Sequence, residues 1–277
     1  MANANEWAHP ELLVDTAWLA DHLDDPQVRI VDCDGPPRVE RLHIPGAVFA
    51  PTSSWKGDGN ETDLYGIDDS ERFAELVGGM GIDNETLVIA YDGCGGMFAA
   101  RLWWTLHRFG YDNCRLLDGG LDAWYDEGRP LVHARPQVAP RTFTALPPSS
   151  ETLCDLDGIL AAQGGDTTLL DVRTAAEWRG MALSEERGGH IPGATHLLWS
   201  DVLAEPVRRF KSPQEVASLF QAQGLESDQP VITYCWVGMR ASHTLFTLRL
   251  CGYDHVRMYD ASWREYGNLP DTPIVKP

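Results

Sequence analysis

The sequence predicts an α/β protein made of two tandem copies of one small domain, each a mostly parallel sheet flanked by helices. Length is the first indication, since 277 residues exceed what one hydrophobic core usually organises. The second is an internal repeat: His43-Ile44-Pro45-Gly46-Ala47 returns as His190-Ile191-Pro192-Gly193-Ala194, and Val88-Ile89-Ala90-Tyr91 returns as Val231-Ile232-Thr233-Tyr234. The third is the alternation, within each copy, of short apolar runs bounded by Asp or Gly with longer helical stretches.

Taken in order, Leu12 to Val14 reads as a strand and Asp15 as the cap of a following helix. Ile30-Val31-Asp32 is the next strand and recurs as Leu169-Leu170-Asp171. Helices are expected over 70–80 and 98–109, either side of the strand ending at Tyr91. Phe109-Gly110-Tyr111 recurs as Cys251-Gly252-Tyr253, and Leu117-Asp118 with Trp124 is matched to Tyr259-Asp260 with Trp263. Residues 132–150 carry Pro136, Pro140, Pro147 and Pro148 among polar residues and read as an extended linker. The domains are therefore placed at 1–131 and 151–277. In the second, 149–162 repeats the opening strand and helix, with further helices expected over 212–223 and 242–251.

The formal charge is −19, from 41 acidic against 22 basic residues, which argues against nucleic acid or an anionic membrane as partner. An anionic substrate then needs a local positive pocket, and arginine must supply it because the chain has only three lysines. No signal-like or membrane-spanning apolar run is found, so the expectation is a soluble cytoplasmic protein, read as a monomer. The six cysteines form no CxxC pair, which indicates neither zinc nor disulfides.

The chemistry points to Val231 through Ser242: a short apolar strand, a tight loop opening on Cys235, and the start of a helix. A thiol with an ordinary pKa of about 8.5 is brought to roughly 3.5–7.5 by a helix N-terminus and a nearby cation, and Arg240 is that cation. Backbone amides of such a loop cradle an anion on or near the sulfur. This stretch and the duplicated pattern resemble the two-domain rhodaneses, the thiosulfate and 3-mercaptopyruvate sulfurtransferases. The resemblance implies two tandem rhodanese-like domains, a Cys235 persulfide, an anionic sulfur donor, a thiophilic acceptor such as cyanide, and no metal or organic cofactor. It also implies that the loop residues Trp236, Val237, Gly238 and Met239 contact substrate.

The copies diverge where chemistry would sit. Asp92 stands opposite Cys235, so the N-terminal copy is expected to be catalytically silent; Cys94, two positions on, is out of register as a second nucleophile. Asp32 to His43 spans 11 positions and Asp171 to His190 spans 19, an insertion within 174–189 that holds Arg179 and Arg187. The resemblance makes both substrate-binding, and the planar guanidinium suits an oxyanion. His43 and His190 sit in the repeated turn, one in the silent copy, and read as structural; Asp118 and Asp260 read as turn-formers.

A Cys-and-Arg phosphatase of related fold is disfavoured because only four residues separate Cys235 from Arg240, where that group has five. A non-catalytic binding module is disfavoured by the retained Cys235 and Arg179. Val237 removes the hydroxyl of the mercaptopyruvate-type loop, and Arg240 in Cys-x-x-Gly-x-Arg resembles a bacterial thiosulfate-type branch. Thiosulfate is accordingly the expected donor, with 3-mercaptopyruvate as the alternative.

Overall fold

The computed structural model describes residues 6–34, 42–50, 68–134, 136–182 and 186–276. Contacts divide them into two compact units that follow the duplication, with two exchanges. The N-terminal unit carries a five-stranded sheet in the order Leu13–Val14, Cys114–Leu117, Leu87–Tyr91, Val28–Asp32, Val48–Phe49. The C-terminal unit repeats it as Leu153–Cys154, Val256–Tyr259, Val231–Tyr234, Thr168–Asp171, Thr195–His196. All pairings in both sheets are parallel. The strands read as unbroken apolar runs because helices cover both faces of such sheets, which leaves no solvent face to alternate toward.

The repeat extends to single hydrogen bonds. The Tyr91 hydroxyl accepts from the Ile44 amide at 3.2 Å, and Tyr234 accepts from Ile191 at the same distance. Each tyrosine thus ties its strand to the His-Ile-Pro-Gly-Ala turn. His43 Nε2 meets the Ala134 carbonyl, and His190 Nδ1 meets the Trp178 carbonyl while its ring stacks on that indole. Both histidines are buried and act structurally, as their place in the turn predicts.

The helices fall near their expected places, at Ser70–Gly79, Met97–Arg108, Pro213–Ala222 and Met239–Leu250. Asp15, Asp69 and Asp155 each cap a helix by accepting a backbone N–H three residues on, the short polar side chain reaching an otherwise orphaned donor. Met239–Leu250 starts three residues earlier than its apolar pattern suggested, which puts Arg240 in the first helical turn.

Three expectations need correction. The Trp124–Trp263 match is out of register: the Leu121 amide donates to the Asp92 carbonyl as the Trp263 amide donates to the Cys235 carbonyl, so Leu121 is the counterpart of Trp263 and Gly120 that of Ser262. The domain limits at 131 and 151 miss an exchange of segments. The Ala8 and His9 amides bond the Leu250 carbonyl and belong to the C-terminal unit, whereas the hairpin Leu203–Phe210 belongs to the N-terminal one, where the Phe210 amide donates to Asp118 at 2.9 Å. Asp118 is thereby a hairpin anchor.

The stretch 132–150 is extended but does not stand apart as a linker. The Arg141 amide donates to the Gly78 carbonyl, the Leu146 amide to the Phe109 carbonyl, and buried Phe143 meets Phe73 and Tyr111 edge to face. A methyl group on Gly78 would lie 2.3 Å from the Arg141 carbonyl oxygen. Gly78→Ala is therefore expected to cost about 1–3 kcal/mol by overpacking, measured as a lowered urea midpoint, although alanine is the better helix former. A neutral or stabilising result would show that the strap yields freely.

Candidate active site

Cys235 follows directly on Val231–Tyr234, the middle strand of its sheet, and the strand end delivers it to the carboxyl edge where open α/β sheets place their ligands. The turn that follows is short because Gly238 takes a φ of +82° and hands the chain to the helix at Met239; a side chain there would be strained. The segment that follows the neighbouring strand Val256–Tyr259 fixes the loop. The Cys235 amide donates to Ser262 Oγ at 3.1 Å, the Trp263 amide to the Cys235 carbonyl at 3.1 Å, and the Arg264 amide to the Trp236 carbonyl at 3.0 Å. Ser262 itself has a φ of +55°, an uncommon value for a residue with a side chain, and its hydroxyl donates onward to the Tyr259 carbonyl.

Cys235 is 1% exposed, Gly238 and Met239 are buried, and Trp236 and Val237 are half-buried at the rim. Of the four loop residues expected at the substrate site, two are thus buried and two half-buried.

The N-terminal copy shows what this loop geometry holds. Asp92, the counterpart of Cys235, accepts from the amides of Cys94 and Gly96 on one oxygen and of Phe98 and Ala99 on the other, all at 2.7–2.9 Å. Its carboxylate fills an amide nest at a helix start. Even so, burial and the nearby Asp34 charge raise its pKa, outweighing the four N–H donors. In this copy a resident carboxylate occupies the position that Cys235 holds in the other. Cys94 is half-buried in the same loop, and its amide belongs to the nest.

The three arginines are placed very differently. Arg240 makes a bidentate pair with Glu177, Nη1 to Oε2 at 2.8 Å and Nη2 to Oε1 at 2.9 Å. Burial works against its charge, but the bonds to Glu177, then the charges of Cys235 and Glu177, raise its pKa. Arg187 donates to the Leu269 carbonyl and to the hydroxyl and carbonyl of Thr272, so its fork ties the insertion to the C-terminal segment. Arg179 caps the helix Ala175–Trp178 and is exposed, and its guanidinium has no hydrogen bond or ion pair among the described residues. The forks of Arg240 and of Arg187, the second of which was expected to bind substrate, are thus already used inside the protein. Residues 183–185 of the insertion lie outside the described residues.

The sequence reading missed three residues near the site. Glu177 is one; its signal was the Thr174-x-x-Glu177 spacing of a capping box, which the structure forms. Asp171 and Arg173 are the others, a buried pair with Nη2 to Oδ2 at 2.5 Å, the guanidinium lying 4.2 Å over Trp263 and also donating to the Gly189 carbonyl. That pair closes the base of the insertion.

Glu177 is held near a pKa of about 2: burial opposes this, but the Arg240 bonds and charge and the Thr174 donors outweigh it. Because the folded value lies below the ordinary 4.5, the carboxylate contributes stability above about 4.5 that is lost as pH falls through about 2. The stability gap between wild type and Glu177→Gln is expected to narrow over that window in pH-dependent urea melts; a gap independent of pH would contradict the pairing. No group of three or more potential ligands that could hold a metal is found among the described residues.

The rhodanese-like domain model matches residues 15–127 and 156–269. This chain belongs to the rhodanese family. The rhodanese is 35% identical to the sulfur carrier protein TtuD of Thermus thermophilus, with 98% of each chain covered. It is also 35% identical to a thiosulfate sulfurtransferase of Corynebacterium glutamicum, over 97% of this chain and 92% of that one. Among solved structures it is similar to SseA of Escherichia coli, a 3-mercaptopyruvate sulfotransferase, with a TM-score of 0.75, 27% identity, and 91% and 98% of the two chains covered. Both copies of this rhodanese are thus family domains, and the middle strand is followed by Asp92 in the first and by Cys235 in the second. No helix among its described residues is long and apolar enough to cross a membrane.

Proposed function

We propose that this rhodanese is a thiosulfate sulfurtransferase that carries the transferred sulfur on Cys235. Sulfur transfer in general is supported by the family match at both domains and by relatives named for that activity. Thiosulfate in particular is favoured by one observation: the helix that begins at Met239 brings a permanent cation, Arg240, into its first turn beside the Cys235 loop, where its charge favours the thiolate and the persulfide without contacting the donor. Val237 offers no hydroxyl there to assist a carbonyl substrate.

In the first displacement the Cys235 thiolate attacks the outer sulfur of thiosulfate. The S–S bond of the donor breaks, sulfite leaves with the bonding pair, and a persulfide remains. In the second, cyanide or a thiol takes the outer sulfur and restores the thiolate, which gives ping-pong kinetics. The outer sulfur sits among the loop and helix-start amides, those of Arg240 and Ala241 corresponding to the Phe98 and Ala99 donors that hold Asp92. Arg179, whose guanidinium has no partner among the described residues, receives the sulfonate end of the donor, and Trp236 and Val237 wall the entrance. No metal or organic cofactor is required by these steps.

The test is steady-state formation of thiocyanate from each donor. Thiosulfate is expected to have the higher kcat/KM, and Arg179→Ala to raise its KM by about tenfold with little change in kcat, the signature of lost ground-state binding. A higher kcat/KM for 3-mercaptopyruvate would overturn the donor assignment and leave the nucleophile standing.

A further inference from the structure

Both terminal nitrogens of Arg240 are engaged end-on by Glu177, the edge by which a guanidinium grips an oxyanion. Glu177 is itself fixed. Its Oε2 also accepts from the Thr174 amide at 3.0 Å and the Thr174 hydroxyl at 2.8 Å, and both side chains of the ion pair are largely buried, at 10% and 18% exposure. A carboxylate with this many donors does not yield its arginine to a passing anion. Arg240 lies in the first turn of the helix Met239–Leu250, which follows the Cys235 loop directly.

We infer that Glu177 is a positioning residue that fills the bidentate edge of Arg240 with an internal carboxylate, fixing the arginine within electrostatic reach of Cys235 and withholding it from the anionic donor. Arg240 then acts on the cysteine sulfur, and donor binding is left to Arg179. The arrangement parallels the N-terminal copy, where Asp92 fills its own amide nest: in each unit a resident carboxylate occupies an anion site. In the C-terminal unit the carboxylate takes the arginine. The kinetic half of this inference rests on the sulfurtransferase reading; the chemical half does not.

The experiment compares wild type with Glu177→Gln and Glu177→Asp. Glutamine keeps an acceptor oxygen of the same reach but removes the charge, so the Arg240 fork is loosened toward the donor. The KM for thiosulfate is expected to fall about threefold to tenfold without a rise in kcat, since the added interaction is made equally in ground and transition states. The rate at which iodoacetamide alkylates Cys235 in slightly acid buffer is expected to rise by a similar about threefold to tenfold, because a negative charge has been removed near the thiolate. Glu177→Asp, which keeps the charge, should stay close to wild type in alkylation. A purely structural Glu177 would leave KM and alkylation unchanged or move both the other way in Glu177→Gln, and that result overturns the inference. If wild type turned over neither donor, the sulfurtransferase reading would fail, while the alkylation comparison would still decide the role of Glu177.

Discussion

Cys235→Ser is expected to lower thiocyanate formation from thiosulfate and cyanide by about ten-thousandfold or more, the scale on which losing a covalent nucleophile is felt. Serine fits the same 1%-exposed position at the end of the middle strand, and the loop anchors from Ser262, Trp263 and Arg264 all engage backbone atoms, so folding should survive. The comparison is made clean by circular dichroism on both proteins and by the same assay on Cys94→Ser, which should keep wild-type turnover. Activity retained in Cys235→Ser would move the chemistry elsewhere, and activity lost in Cys94→Ser would bring the N-terminal copy into the reaction.

Arg173→Met is expected to destabilise the protein by about 3–5 kcal/mol, because it strands a fully buried carboxylate on Asp171 without its cation. That is a large share of the about 5–15 kcal/mol that separates folded from unfolded protein. The guanidinium also covers Trp263 and holds the Gly189 carbonyl at the base of the insertion, so activity should fall together with stability. Asp171→Asn combined with Arg173→Met removes both charges and should recover a good part of the loss in urea melts, since much of the cost is the unpaired charge. A single-variant loss below about 1 kcal/mol would contradict this reading of the pair.

Much of this was legible in the residues, for definable reasons. Duplicated strands are read from unbroken apolar runs such as Val231 to Tyr234, and helices from caps such as Asp15 and Asp155, because both signals are local. The Cys235 loop is local as well. What escaped depends on contacts between residues far apart in the chain. Glu177 meets Arg240 across 63 positions, and nothing in the Thr174-x-x-Glu177 spacing shows that the capping carboxylate has a second partner. Arg187 carries the same charge as Arg179, yet only the placement of Leu269 and Thr272 shows that its fork is used as a strut. The 132–150 stretch looked like a linker because prolines mark an extended chain equally well whether it is free or laid against Gly78 and Phe73. The Trp124–Trp263 mismatch arose from pairing like residues, where the Asp92–Leu121 and Cys235–Trp263 bonds set the true register.

The most direct measurement is peptide mass spectrometry of the protein mixed with thiosulfate and freed of excess donor. The rhodanese account predicts one added sulfur, confined to the peptide that contains Cys235, lost on addition of cyanide with release of one equivalent of thiocyanate. Sulfur found on Cys94, or no adduct on Cys235 with thiosulfate while 3-mercaptopyruvate loads it, would contradict the account.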